Sequence, residues 1–114
     1  MTLEKLTRED FAACVGESFR LCPDHPDGLD LVVEEVSELK VMEGQESFSI
    51  YFRGPGDRLA RQATYTLDSK RLGRLDLFIV PIARDEKGIR YEALFNRLTA
   101  ITKEDIPHGG TLFR

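Results

Sequence analysis

Cysteine and histidine are scarce in this chain: Cys14, Cys22, His25 and His108 are the full complement of both. A structural zinc ion normally takes four Cys or His ligands, so this supply is thin for a metal site. Long apolar runs are missing too, and nothing approaches the roughly 20 residues that carry a helix across a bilayer. Met1 to Asp10 mixes charges of both signs and lacks the apolar centre of a signal peptide. These absences predict a soluble, cytoplasmic protein with no membrane partner, whose two thiols stay reduced rather than bridged. Positive charge is not in excess either, with 16 Lys and Arg against 20 Asp and Glu, interspersed, for a net charge of −4. That balance argues against binding along a phosphate backbone, so no nucleic-acid partner is expected. Internal repeats and low-complexity tracts are absent.

What remains is a chain of 114 residues, 41% apolar and 32% charged. It is long enough to bury one core without metal or disulfide and too short for two. Thr7 is placed to cap a helix starting at Arg8, with Asp10 as the return half of a capping box and Leu6 and Phe11 as a hydrophobic staple. Phe11, Cys14 and Val15 share one helical face and Gly16 ends it, which predicts one short helix of about two turns. The period then changes to two. Phe19 and Leu21 alternate before the Cys22–Gly28 loop, Leu29, Leu31 and Val33 form a strand, and the Glu-rich continuation to Lys40 reads as a bulged strand or a helical turn. Glu46 to Arg53 is the clearest strand, with Phe48, Ile50 and Phe52 on its core face. Ala63, Tyr65 and Leu67 point inward on the next one. Leu75 to Ile82 is apolar on both sides and reads as a central strand covered on both faces. Gly88 is placed for positive φ in the turn that returns it as Ile89, Tyr91, Ala93 and Phe95. The expected fold is mainly β: a small antiparallel β-barrel or sandwich of five to six strands with one short N-terminal helix. One β domain is expected over residues 1–98, followed by a flexible C-terminal tail over 99–114.

Four constellations could carry chemistry. Cys22-Pro23-Asp24-His25 has a spacing that can chelate zinc or set a thiol beside a base. It lacks a fourth strong ligand, and a proline-stiffened surface loop accounts for it, so no metal and no cofactor are expected. Cys14, near Phe11, reads as a small core residue, and no serine stands in the strained turn of a hydrolase nucleophile. No catalytic residue and no enzyme are therefore expected. Arg53, Gly54, Gly56 and Arg58 could offer backbone amides and two cations to an anion, although the spacing and following helix of a phosphate loop are missing and a plain β-turn fits. Glu34 and Glu35 alternate to opposite faces unless a bulge intervenes. Finally, Tyr51, Thr64 and Thr66 form an outward row, and Tyr91, Phe95, Leu112 and Phe113 could join it as an aromatic interaction patch, although the core is the favoured place for Tyr91 and Phe95.

The same residues carry a resemblance. Val15-Gly16-Glu17-Ser18-Phe19, Phe48-Ser49-Ile50-Tyr51-Phe52-Arg53-Gly54-Pro55, Tyr65-Thr66-Leu67, Leu77-Phe78-Ile79-Val80-Pro81 and Tyr91-Glu92-Ala93-Leu94-Phe95-Asn96 follow one pattern. Over roughly residues 6 to 96 the chain resembles an uncharacterised bacterial domain-of-unknown-function family with Phe-x-x-x-Phe-x-Gly-Pro, Leu-Phe-x-Val-Pro and Tyr-Glu-Ala-x-Phe-Asn motifs. The resemblance implies kinship and an architectural role for Gly54, Pro55 and Pro81, and brings no activity. The resulting expectation is a non-enzymatic structural or protein-interaction module that self-associates or docks a partner. Such a module could be a subunit or adaptor of a larger bacterial assembly such as a phage-tail-like particle. The alternative is a small-ligand barrel with a cavity among Phe48, Phe52, Tyr65, Phe78 and Tyr91. A minor enzyme using the Cys22 and His25 loop is a lesser one.

Overall fold

The computed structural model describes residues 6–98. The expected tail from Thr99 onward, with His108, Leu112 and Phe113, lies outside the described residues. The one helix among the described residues, α1 (Arg8–Ala12), begins as the sequence predicts. The Asp10 amide donates to the Thr7 hydroxyl at 3.2 Å and the Thr7 amide donates to the Asp10 carboxylate at 2.8 Å, closing the capping box. Leu6 and Phe11 are both fully buried. The helix is shorter than two turns because the chain turns through Cys14 to Gly16, which sits at φ 90° and donates to the Val33 carbonyl at 2.8 Å. Val15, expected on the buried face, is therefore half exposed.

The strands are β1 (Ser18–Leu21), β2 (Leu29–Val36), β3 (Lys40–Met42), β4 (Gln45–Gly54), β5 (Ala63–Ser69), β6 (Gly73–Asp85) and β7 (Gly88–Leu98). All pairings are antiparallel, in the order β2-β1-β5-β6-β7-β4-β3, and a further β2–β4 pairing closes six of them into a barrel. Barrel rather than sandwich follows from β2, which pairs with β1 through its first half and with β4 through its second. A bulge between Val33 and Glu35 bends the strand to serve both neighbours. The Glu-rich continuation thus holds a bulge, and β3 beyond it adds one strand to the expected count, lying against Gln45–Ser47 of β4.

Closure puts β4 and β5, consecutive in the chain, three strands apart on opposite sides of the barrel. The connection from Pro55 to Gln62 must cross one end of the barrel, and it brings the buried Ala60 over the core. At that end the Tyr91 hydroxyl accepts the Ala60 amide at 3.0 Å. At the other end α1 serves as the plug, with Phe11 ring centroids 5.8 Å from Phe48 and 5.6 Å from Phe95, and Phe48 stacked on Phe95 at 4.9 Å. Phe19 and Phe52 meet at 5.5 Å farther up. Each fully buried side chain of this size contributes about 1.5–3 kcal/mol of transfer free energy.

Two expectations about β6 are corrected. Leu75, Leu77 and Ile79 face the core, but Phe78 is 50% exposed and Ile82 45%. Among the described residues neither α1 nor a second sheet covers that outer face, because a closed barrel hides only its inner face and α1 is spent on the end of the barrel.

Candidate functional site

The structure disperses some of the residues that the sequence grouped. Tyr51 lies on β4, whereas Thr64 and Thr66 lie on β5 across the barrel, so the expected outward row does not form. Tyr91 and Phe95 are buried core residues, corrected from the interaction patch because they occupy the inward phase of β7. Thr64 and Thr66 are exposed, and Thr66 donates to Asp76 at 2.7 Å. Tyr51 is half-buried under the Arg90 guanidinium, 4.4 Å from its ring centroid.

Arg53 and Arg58 also part company, so the two-arginine anion nest that the turn could have offered does not assemble. The Arg53 guanidinium lies between Glu34, at 2.9 and 3.1 Å, and Asp85, at 3.0 Å. Arg90 joins Glu34 at 3.0 Å and Glu35 at 2.8 Å. The β2 bulge is what sets Glu34 and Glu35 on the same flank, and the result is an ion-pair network of two guanidiniums and three carboxylates. A side chain at Gly54 would meet Leu31 Cδ2 at 2.7 Å and Tyr91 Cε2 at 3.1 Å, so this glycine serves close packing rather than anion binding.

Arg58 instead reaches the Cys22–Gly28 loop, donating to the backbone carbonyls of Asp27 and Gly28. Two sequence candidates that stand apart in the chain therefore meet at the crossed end of the barrel. Between the loop and the crossing segment lies a groove of about 420 Å³. Its apolar lining comes from the buried Leu21, Leu29 and Ala60 with the half-buried Tyr65, and its polar lining from Cys22, His25, Asp27, Arg58 and Arg61. Cys22 takes φ 53° and its amide donates to the Thr66 carbonyl at 2.9 Å, which ends β1 and turns the loop outward. The His25 Nδ1 accepts the Asp27 amide at 3.0 Å, which assigns the proton of the neutral ring to Nε2. The Tyr65 hydroxyl donates to the Arg61 carbonyl at 2.5 Å, and burial, with a smaller contribution from Cys22, pushes its pKa up. Among the described residues no three or more Cys, His, Asp or Glu side chains cluster to hold a metal.

Cys14 and Cys22 are unbridged and flank opposite ends of β1. Burial, then the nearby Glu17, pushes the Cys14 thiol up, and its Sγ–H donates to the Asp10 carbonyl at 3.4 Å. A buried, protonated thiol is an inert core group.

A second feature is an exposed apolar face. Cross-strand pairing between β6 and β7 runs from Asp85–Gly88 down to Val80–Glu92 and stops. Below that point the two strands pair only with β5 and β4 among the described residues, and a groove of about 220 Å³ opens between them past Phe78 and Leu94. A neighbouring groove of about 170 Å³ runs from Leu94 across β4 to Met42 on β3. Phe78 is 50%, Leu94 63% and Met42 72% exposed. The alternation of β7 already marks Leu94 as outward between Ala93 and Phe95, whereas the two-sided apolar pattern of β6 hides Phe78. Because Phe78 faces solvent, the five aromatic residues expected around an interior cavity do not share one.

The link between core and groove is testable. Tyr91→Phe leaves the Ala60 amide without its buried acceptor, and the expected cost is about 1–3 kcal/mol. Urea denaturation followed by circular dichroism measures it, and faster amide exchange confined to residues 57–62 would mark the crossing segment as the part released.

Residues 6–95 match a family model described as a domain of unknown function (DUF6916). No curated protein and no solved structure matches the chain. Among the described residues no helix is long and apolar enough to cross a membrane.

Proposed function

The chain belongs to this DUF6916 family of domains of unknown function, and we propose that it is a non-enzymatic structural or interaction module, a subunit or adaptor of a larger assembly. The observation that supports this reading is the outer face of Phe78, Leu94 and Met42 beside the lower stretches of β6 and β7, which among the described residues do not pair with each other. Strand edges offer backbone donors and acceptors to an extended segment, and exposed apolar side chains beside them supply the area that makes such addition favourable. The occupant is a second copy of this chain, since the face carries both signs of charge, Asp76 against Lys40 and Arg97, among the neutral Ser47, Gln45 and Asn96, so that an antiparallel copy can set the acid of one against a base of the other. The module works in the cytoplasm, in keeping with its two unbridged thiols.

Light scattering after size exclusion tests it with the full chain and a Leu94→Asp variant. The wild type is expected at a multiple of 13.0 kDa and the variant at the monomer mass, with its thermal transition kept because Leu94 is outside the core. Equal masses for the two proteins would overturn the reading.

A further inference from the structure

We infer that the groove at the crossed end of the barrel binds a small organic anion with an apolar body, such as a short-chain or aryl carboxylate. It shares no residue with the Phe78–Leu94–Met42 face and does not depend on that face docking anything.

Size comes first. About 420 Å³ lies in the range that takes a small molecule, and mouths of β-barrels are a recurrent place for such sites. The groove also has a built floor, because Leu21, Leu29 and Ala60 are core residues whose surfaces form its base, while the ring of Tyr65 stands beside them. Apolar body and apolar floor match.

Charge selects the ligand's polar end. In a chain of net charge −4 the lining carries Arg58 and Arg61 against the single carboxylate of Asp27. Arg58 is bonded to neutral carbonyls, so its charge is held in place without being cancelled. Arg61 is exposed and has no ion-pair partner among the described residues. The neighbouring cation, Arg74, is by contrast closed off in a two-bond pair with Asp24 at 2.7 and 3.0 Å. His25 adds a directional donor, since its Nδ1 is occupied by the Asp27 amide and its Nε2–H is left for a ligand. An anion seated beside Arg58 and Arg61 with its hydrocarbon over Leu21 and Tyr65 meets uncancelled positive charge at one end and apolar surface at the other. A guanidinium offering a planar fork to a carboxylate gives the stronger class of hydrogen bond.

The walls are tied together independently of any ligand. The Arg58 bonds join the crossing segment to the β1–β2 loop, and the Ala60 amide is pinned to Tyr91. A site so organised pays less ordering entropy on binding.

The test is a nuclear magnetic resonance titration of the full chain with sodium hexanoate, and in parallel with hexan-1-ol. Hexanoate is expected to give saturable shifts confined to residues 21–29 and 58–65, in the high-micromolar to millimolar range, with hexan-1-ol clearly weaker. Arg61→Ala should weaken hexanoate about three- to tenfold and leave the alcohol unchanged, because Arg61 is exposed and its loss leaves the fold intact. Arg61→Lys should recover part of the affinity. Equal affinity for hexanoate and hexan-1-ol, shifts scattered outside the groove, no saturation at millimolar ligand, or unchanged hexanoate binding by Arg61→Ala would each overturn the proposal.

Discussion

Gly88→Ala is expected to cost more than about 3 kcal/mol, enough to leave a marginal domain largely unfolded. Gly88 adopts φ 119°, a region that side-chain-bearing residues rarely enter, and its Cβ would stand 2.1 Å from the Gly54 carbonyl oxygen. That oxygen cannot withdraw cheaply: Gly54 pairs with Ile89 in the β4–β7 ladder and packs on Leu31 and Tyr91. The strain therefore falls on the longest ladder of the barrel and on the turn joining β6 to β7. Gly73→Ala is the matched control, since Gly73 also has positive φ, at 81°, but nothing within 4 Å of its would-be Cβ. The control should lose about 1–2 kcal/mol from backbone strain alone. Urea denaturation of both variants measures the difference, and equal midpoints would show that the contact with Gly54 has no energetic weight.

Phe11→Ala should be nearly as severe, with a loss of about 3–5 kcal/mol. Five residues cannot hold a helix by themselves, so α1 exists because Phe11 anchors it between Phe48 and Phe95. Truncation opens a cavity at the barrel's lower end and removes two aromatic contacts worth roughly 0.5–1.5 kcal/mol each. The helix has other ties, with Arg8 donating to the Ser37 carbonyl at 2.8 Å and Arg97 to the Leu6 carbonyl at 2.6 Å. These polar ties do not replace the buried ring, because surface-accessible hydrogen bonds exchange with water at little net gain. Denaturant titration reads the loss directly. A cost below about 1.5 kcal/mol would mean that the barrel closes without its plug and that α1 is an accessory.

Local features were legible because they are decided within a few residues. The capping box of Thr7 and Asp10, the positive φ of Gly88 and the inward phase of Phe48, Ile50 and Phe52 rest on hydrogen bonds and alternation that the neighbouring residues dictate. The inward phase of Tyr91 was legible in the same way, and its double reading as core or interface is resolved by the ring being fully enclosed. The sides of the alternating strands were thus readable, those of the two-sided apolar β6 were not, and neither were the neighbours of any strand.

Sequence by itself determined that this chain is mainly β with a capped N-terminal helix, that glycine is needed where β7 begins, and which phase of β2, β4 and β7 enters the core. Tertiary structure alone decided that β2 bends at its bulge to join β1 to β4, that β4 and β5 stand on opposite sides, and that Pro55–Gln62 crosses the barrel between them. From that crossing comes the meeting of Arg58 and Arg61 with the Cys22–Gly28 loop, and from closure itself comes the exposure of Phe78 on the outer face. The reason is range: alternation is set by the pleat of a single strand, whereas closure, and every site built by it, depends on which distant strands meet.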